Sequence, residues 1–390
     1  MNVKFALILS AFLASACATT TPTDLSGVSL STDFEAGRAD TMTRTPTGFT
    51  VALSPEDTPI NDSPWYAFDI LGARGETVPI TLSYTGGTHR YAPKIRAADG
   101  QWETLNTTVD ISEDETKATF SVTPQADTIR IAAQPIIDTA DHAAWTADMA
   151  AFDFVVQSTI GQSVENRPLL MLEEVDAPDV EKPYVVLIGR QHPPEVTGAQ
   201  ALQPFVETIW ADTELAKKFR AEFNLIVIPL VNPDGVARGN WRHNVGGLDL
   251  NRDWGPFTQP ETQAMKRVLD RFKSGEDEIA LFLDFHSTWR NLIYTQTDAE
   301  PTTPAFFTRD WINAVKAVLP EEVYSFTREA NKTSDRPVSK NYMYRTYGIP
   351  AMTFEVGDDT PRDATETASR IFAEQMMIRL LMSRGLETPK

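Results

Sequence analysis

Residues 184–195 of this 390-residue chain are Tyr184-Val185-Val186-Leu187-Ile188-Gly189-Arg190-Gln191-His192-Pro193-Pro194-Glu195. The first five form a continuous apolar run, which is typical of a β-strand covered on both faces, whereas a strand with one solvated face alternates apolar and polar residues. Two side chains that can bind a metal, His192 and Glu195, follow this strand within a few residues. The stretch therefore predicts a buried strand with a candidate site at its carboxyl end.

Similar runs alternate with candidate helices along the rest of the chain. Further strands are predicted at residues 225–230, 279–283 and 349–354. Helices are predicted where apolar residues recur at helical spacing, at residues 145–156, 199–210, 261–272, 304–318 and 365–382. This alternation indicates an α/β fold with a mixed, largely parallel sheet flanked by helices. In such folds ligands bind at the carboxyl ends of the strands.

The first third of the chain has a different pattern. Short alternating runs recur at residues 49–53, 65–70, 78–82, 118–122 and 128–131, with turn signals such as Gly86-Gly87 between them. Short strands at this spacing predict a small β-sandwich. We expect this domain at residues 31–136, ahead of the α/β domain at residues 137–390.

The N-terminus has the features of a secretory signal. Lys4 supplies a positive charge, and residues 5–14 form an apolar run too short for a permanent membrane span. The sequence Leu13-Ala14-Ser15-Ala16-Cys17 resembles a bacterial lipobox, in which Cys17 is acylated and becomes the first residue of the mature chain. Cys17 is the only cysteine.

These features predict a signal peptide at residues 1–17 and a Thr/Pro-rich tether at residues 18–30. The expected location is extracytoplasmic, as a periplasmic lipoprotein anchored to a membrane of a Gram-negative bacterium. Ala14 stands where a lipobox prefers leucine, so an ordinary signal peptide cut near Ala16 or Ala18 is the alternative.

The net charge of the chain is −19, from 54 acidic and 35 basic side chains. This charge repels nucleic acids and anionic lipid surfaces. We therefore expect no nucleic-acid partner and contact with the membrane only through the lipid anchor. The sequence does not indicate the oligomeric state.

The chain has five histidines, and two of them follow predicted strands. His192 has Glu195 three residues later, and His286 follows the strand predicted at residues 279–283. Two imidazoles and one carboxylate are a common ligand set of catalytic zinc, which leaves a fourth position for water. His-x-x-Glu alone is a weak signal, and the helical motif His-Glu-x-x-His is absent.

Several motifs in order resemble the M14 family of zinc carboxypeptidases, which includes carboxypeptidase A. They are found at residues 160–167, Gly189–Glu195, Asn232–Gly235, Asn240–Arg242, Leu248–Trp254, Asp284–Ser287 and Thr353–Glu355. The resemblance covers about residues 155–390. Residues 63–68 and 89–93 look like the β-domain that precedes the catalytic domain in the cytosolic-carboxypeptidase branch and its bacterial relatives.

The resemblance implies a role for each matched residue. His192, Glu195 and His286 would bind one Zn²⁺ ion per chain. Glu355 would be the general base and Arg242 would stabilise the oxyanion. The resemblance further assigns the terminal carboxylate of a peptide substrate to Asn251 and Arg252, and the orientation of His192 to Asp249.

Carboxypeptidase A-like enzymes carry a mobile tyrosine well before the catalytic glutamate, but residues 331–336 contain none. The tyrosines nearer to Glu355 are predicted to serve the fold: Tyr342, Tyr344 and Tyr347. Three basic residues of this region could favour an acidic C-terminal side chain: Arg336, Lys340 and Arg345.

The sequence thus predicts a zinc metallocarboxypeptidase that acts on extracytoplasmic peptides. Three alternatives stay open. One is a hydrolase or amidase of murein peptides with the same fold, and another is a deacylase of the amidoacylase type. The third is a lipid-anchored protein that binds peptide or glycan, with a weak or inactive peptidase domain.

Overall fold

The computed structural model describes residues 25–388, apart from residues 97–99, 176–180, 274 and 276. Its architecture is the predicted one, a mixed α/β sheet flanked by helices and preceded by strands that form sheets of their own. Cys17 and the predicted signal peptide lie outside the described residues. Among the described helices, none combines the length and the apolar character that a membrane span requires.

Ten short strands come first in the described chain. They are β1 (Ser29–Ser31), β2 (Thr41–Arg44), β3 (Phe49–Leu53), β4 (Ala67–Leu71), β5 (Val78–Tyr84), β6 (Lys94–Arg96), β7 (Trp102–Thr104), β8 (Asp110–Ile111), β9 (Lys117–Val122) and β10 (Thr128–Ala132). They form two five-stranded sheets, in the orders β1-β4-β10-β6-β7 and β2-β3-β5-β9-β8. We call these two sheets and their loops the β unit.

The β unit has its own apolar core. Alternate residues of β5, such as Ile80 and Leu82, are buried in it, as expected for strands with one covered face. Leu25 and Val28 belong to the same core, and β1 pairs with β4 from Ser29 onward. Residues 25–30, which the sequence assigns to the tether, are therefore packed against the sheets. The outer limits of the predicted domains stay predictions.

The second part of the chain contains an eight-stranded sheet. Its strands are β11 (Val155–Gln162), β12 (Pro168–Glu174), β13 (Tyr184–Gly189), β14 (Asn224–Ile228), β15 (Ile279–Thr288), β16 (Leu292–Thr295), β17 (Thr327–Ala330) and β18 (Ala351–Gly357). Their order is β11-β12-β14-β13-β15-β18-β16-β17. The four central strands, in the order β14, β13, β15 and β18, are mutually parallel. On either side of them, β12 pairs antiparallel with β14 and β16 pairs antiparallel with β18.

Helices cover both faces of this sheet. They are α1 (Thr139–Met149), α2 (Val196–Ile209), α3 (Glu214–Glu222), α4 (Pro233–Arg238), α5 (Pro260–Asp270), α6 (Phe307–Val318), α7 (Ser339–Tyr347) and α8 (Arg362–Ser383). Val185 and Leu187 of β13 pack in one core with residues of α2, α3, α6 and α8. Val186 and Ile188 point to the other face and pack with residues of α5 and α7. Both faces of β13 are thus buried, which explains its uninterrupted apolar run.

One predicted helix differs from the structure. The helix predicted at residues 145–156 begins earlier, at Thr139, where Asp138 forms a capping box with Asp141. It ends at Met149, and Val155 already belongs to β11, where it pairs with Glu174. The β-branched Val155 and its neighbour suit a strand better than a helix, and the pairing with β12 outweighs the helical spacing.

Candidate active site

The predicted metal ligands come together at the carboxyl ends of parallel strands. His192 follows β13, and Glu195 immediately precedes α2. The strand predicted at residues 279–283 continues to Thr288, so His286 lies within β15 and not after it. Adjacent parallel strands thus deliver both histidines to one edge of the sheet.

The start of α2 is held close to β15. A Cβ atom on Gly198 would lie 2.7 Å from the carbonyl oxygen of His286, so this close approach requires glycine. The amide of Gly198 donates to Ser287 Oγ at 2.9 Å, and Thr197 Oγ1 lies 2.7 Å from the same oxygen. These contacts hold Glu195 beside His286.

His192, Glu195 and His286 form a buried group able to hold a metal ion. One ligand atom from each residue lies within 4.8 Å of the others. His192 Nδ1 is 2.8 Å from Glu195 Oε1, and His286 Nδ1 is 2.6 Å from Glu195 Oε2. The two imidazoles therefore present the same ring nitrogen, Nδ1, to the shared carboxylate.

The other ring nitrogen of each histidine is held by a carboxylate. His192 Nε2 lies 2.8 Å from Asp249 Oδ1, as predicted, and His286 Nε2 lies 2.8 Å from Asp284 Oδ2. The sequence predicts no role for Asp284. Its position two residues before His286 on the same strand could have indicated this contact, because residues two apart on a strand lie on the same face of the sheet.

This arrangement fits a divalent cation. When each Nε2–H donates to its carboxylate, each Nδ1 lone pair faces Glu195, and only a cation or a proton between them relieves the repulsion. Burial by itself lowers the pKa of His286, but the charges of Asp284 and Glu195 raise it well above its ordinary value. The group therefore attracts positive charge strongly, and two nitrogens with one carboxylate suit Zn²⁺.

Glu355 lies next to this group on β18. It pairs in register with His286 across the parallel strands β15 and β18. Its Oε2 atom is buried and has no hydrogen-bond partner among the described residues. Burial raises the pKa of Glu355 to about 7. A carboxylate with a weakened preference for the charged form suits a group that takes up and returns a proton near neutral pH.

The predicted oxyanion donor Arg242 and the predicted substrate-binding residues Asn251 and Arg252 lie around the same group. Arg242 Nε donates to Asp249 Oδ2 at 2.7 Å, and Arg242 Nη1 lies 3.9 Å from Glu195 Oε1. Asn251 is buried, and its Nδ2 lies 3.4 Å from His286 Nε2. Arg252 is partly exposed, with 28% of its side chain accessible.

These residues line one cleft of about 480 Å³. It contains an excess of basic side chains over acidic ones: Arg90, Arg242, Arg252, Lys332, Arg336 and Lys340 face Glu195 and Glu355. Among the residues of its wall for which the sequence predicts no role are Asn61, Arg90 and Tyr294. Asn61 and Arg90 belong to the β unit, so no local motif connects them with the site.

Two predictions about the region before Glu355 have different outcomes. Tyr342, Tyr344 and Tyr347 pack against the core beneath the sheet, as expected. Arg345, which the sequence predicts with Arg336 and Lys340 to favour an acidic C-terminal side chain, does not line the cleft. It pairs instead with Asp335 at 2.9 Å.

The fold and the site define a class of α/β proteins with a buried His-Glu-His group, suited to a divalent cation, at the carboxyl ends of parallel strands. The family model of zinc carboxypeptidases, Peptidase M14, matches residues 143–374. The chain therefore belongs to the M14 zinc carboxypeptidase family.

Solved structures share the fold over almost the whole chain. A metallo-carboxypeptidase from Burkholderia cenocepacia is 20% identical, with a TM-score of 0.76 over 91% of this chain and 99% of that chain. A metallo-carboxypeptidase from Pseudomonas aeruginosa is also 20% identical, with a TM-score of 0.72 over the same shares.

Sequence relatives match over a shorter stretch. Cytosolic carboxypeptidase 6 from Mus musculus is 27% identical over 143 residues, which is 35% of this chain and 26% of that protein. The chain thus spans about a quarter of the length of this curated relative.

Proposed function

We propose that this chain is a zinc metallocarboxypeptidase that removes C-terminal residues from extracytoplasmic peptides, with Glu355 as its general base. The observation that carries the proposal is the position of Glu355. Its partner across the strands is His286, one of the three metal-binding side chains, and both line the cleft that contains Asn251 and Arg252.

His192, Glu195 and His286 would hold one Zn²⁺ ion, which polarises the scissile carbonyl and acidifies water when it is bound. Glu355 then accepts a proton from the attacking water and returns it to the leaving amine as the C–N bond breaks. Arg242 Nη1 lies 3.9 Å from Glu195, one of the candidate metal ligands. From this position it would donate an N–H to the oxygen of the scissile carbonyl, on which negative charge develops.

An exopeptidase needs an anchor for the chain end. Arg252 offers a planar guanidinium, which can bind a carboxylate through two parallel hydrogen bonds. Its Nη1 donates to the carbonyl oxygen of Asn251 at 2.6 Å, which fixes the orientation of the guanidinium relative to Asn251. Binding of the terminal carboxylate here sets the distance from the chain end to the metal.

The charge of the cleft supports a preference for acidic C-terminal side chains. Lys340 is buried and lines the cleft. Its Nζ is 3.3 Å from the carbonyl oxygen of Thr295, its one hydrogen-bond partner within the described part of the chain. Donors of the ammonium group therefore remain for a substrate carboxylate. Arg336 lines the same cleft.

The extracytoplasmic substrate rests on the N-terminal sequence, with Cys17 in its lipobox. The mouse relative is named a cytosolic protein, so the compartment of this chain requires its own test. Labelling of cells with a fatty acid should mark the wild-type chain and leave Cys17→Ala unlabelled. Equal labelling of both would reject acylation at Cys17.

The activity is tested with purified protein that lacks residues 1–17. It is incubated with a mixed peptide library and with murein stem peptides, with and without a chelator, and products are identified by mass spectrometry. Stepwise loss of C-terminal residues that the chelator stops is the expected result.

Other results would select the alternatives. Cleavage confined to stem peptides would move the function to cell-wall turnover. A zinc-loaded protein that cleaves neither substrate would contradict the proposal and favour the binding role.

A further inference from the structure

The segment that carries Arg242 has no regular secondary structure. It runs between the end of α4 at Arg238 and a short 3-10 helix that begins at Leu250. A backbone without a helical or strand ladder needs other partners for its N–H groups. The direction in which Arg242 points therefore depends on what holds this segment.

Glu56, in the β unit, supplies those partners. Its Oε2 accepts from the amide of Trp241 at 2.7 Å, and its Oε1 accepts from the amides of Arg242 and His243 at 2.8 and 2.5 Å. One carboxylate thus binds three successive backbone N–H groups. Hydrogen bonds to an ionised acceptor are shorter and stronger than those between neutral groups.

Trp241 fixes the same segment from its side chain. It is fully buried in the core of the β unit, and its Nε1 donates to the carbonyl oxygen of Trp65 at 3.2 Å. Its ring meets Tyr84 edge-on, with centroids 6.4 Å apart. Arg242, the next residue, lines the cleft instead.

A chain of contacts continues from Arg242 to the metal-binding group. Asp249 binds Arg242 through Oδ2 and His192 through Oδ1. The carboxylate of Asp249 is buried, so its position depends on both partners. Displacement of the Arg242 segment would therefore disturb the oxyanion donor first and His192 second.

We propose that Glu56 is a positioning residue for Arg242, and that the β unit thereby contributes to the active site. The inference rests on the proposed function only for its catalytic consequence. The structural part of the inference is that the Glu56 carboxylate holds the backbone of residues 241–243 in place. This part is independent of the reaction.

The kinetic test compares Glu56→Gln, Glu56→Ala and Arg242→Ala. Glutamine keeps one acceptor oxygen but turns an NH₂ group toward the amides, so Glu56→Gln should lower kcat about tenfold with a smaller change in KM. Glu56→Ala should lower it further, toward the ~100-fold loss expected for removal of an oxyanion donor. In the Arg242→Ala background, Glu56→Gln should cause no additional loss, because Glu56 acts on turnover through the Arg242 side chain, which is then absent.

Asp69→Asn is the matched control. Asp69 is a carboxylate of the β unit that accepts from Arg130 at 2.8 and 2.9 Å, away from the cleft. This variant should lower the stability of the β unit and leave kcat unchanged. Equal losses of kcat in Asp69→Asn and Glu56→Gln would overturn the inference, since a general destabilisation of the β unit would then explain both.

Hydrogen exchange tests the structural part of the inference without any turnover. The amides of residues 241–243 should exchange at least tenfold faster in Glu56→Gln than in the wild type, while those of β13 stay protected. Unchanged exchange at these three amides would overturn the inference whether or not the protein is a peptidase. An active wild type with unaffected Glu56 variants would overturn it as well, and would leave the proposed function standing.

Discussion

Glu355 lies directly opposite His286 on the neighbouring parallel strand. Paired residues of adjacent strands have their side chains on the same face of the sheet, so this register brings the proposed base beside a proposed metal ligand. The relation is built into the sheet and does not depend on a loop. A one-residue shift of β18 would turn Glu355 into the core on the other face.

Replacement of Glu355 by glutamine should therefore separate binding of zinc from catalysis. The amide cannot take up the proton, and we expect kcat/KM to fall by at least about 1,000-fold. Zinc content, measured by atomic emission after dialysis, should stay at one ion per chain because the three ligands are unchanged. Activity within tenfold of the wild type would contradict the role of Glu355.

The two aspartates behind the histidines should have different effects. Asp284→Asn removes the negative charge of the acceptor of His286 Nε2, and the zinc affinity should fall about 10–100-fold, as for other carboxylates that orient ligand histidines. Saturating zinc should restore most of its activity.

Asp249→Asn should lower the affinity similarly, because it holds His192. It also holds Arg242, so a deficit in kcat should persist at saturating zinc. Competition with a chromogenic chelator gives the affinities. Full recovery of Asp249→Asn at high zinc would show that its contact with Arg242 does not matter for turnover.

The selectivity of the cleft can be tested at Lys340. Lys340→Gln should lower kcat/KM at least tenfold for peptides that end in glutamate or aspartate, and change it little for neutral ends. Arg345→Gln is the control, because Arg345 pairs with Asp335 outside the cleft. A wild type that cleaves neutral ends as fast as acidic ones would reject the preference.

Glu300 should make part of the stability depend on pH. Burial by itself raises its pKa, but hydrogen bonds from Thr297 and Thr333 lower the pKa of Glu300 to about 2. The folded value lies below the ordinary value of about 4.3, so the contribution is complete above that pH and is lost as the pH falls toward 2.

The experiment compares the urea midpoints of metal-free wild type and Glu300→Gln. The wild type should be the more stable at pH 6, and the difference should shrink between pH 4.5 and 2.5. A constant difference across this range would mean that the carboxylate charge is not what stabilises the segment of Thr333.

Much of the fold follows from local patterns. Buried parallel strands such as β13 have apolar runs because both faces are covered, and the alternation in β5 reflects one covered face. The limits of single elements are less predictable. The helix predicted at residues 145–156 ends early because Val155 finds a strand partner, which a local window cannot detect.

The amino-acid sequence alone indicated the fold class and singled out three candidate metal ligands and Glu355, because short motifs after apolar runs carry that information. Which distant residues complete the site follows from the packing of the folded chain. Glu56 and Trp241 are 185 positions apart, and Asp249 and His192 are 57 apart. Such contacts arise from the packing of one unit or strand against another. No periodicity or spacing near either partner records them.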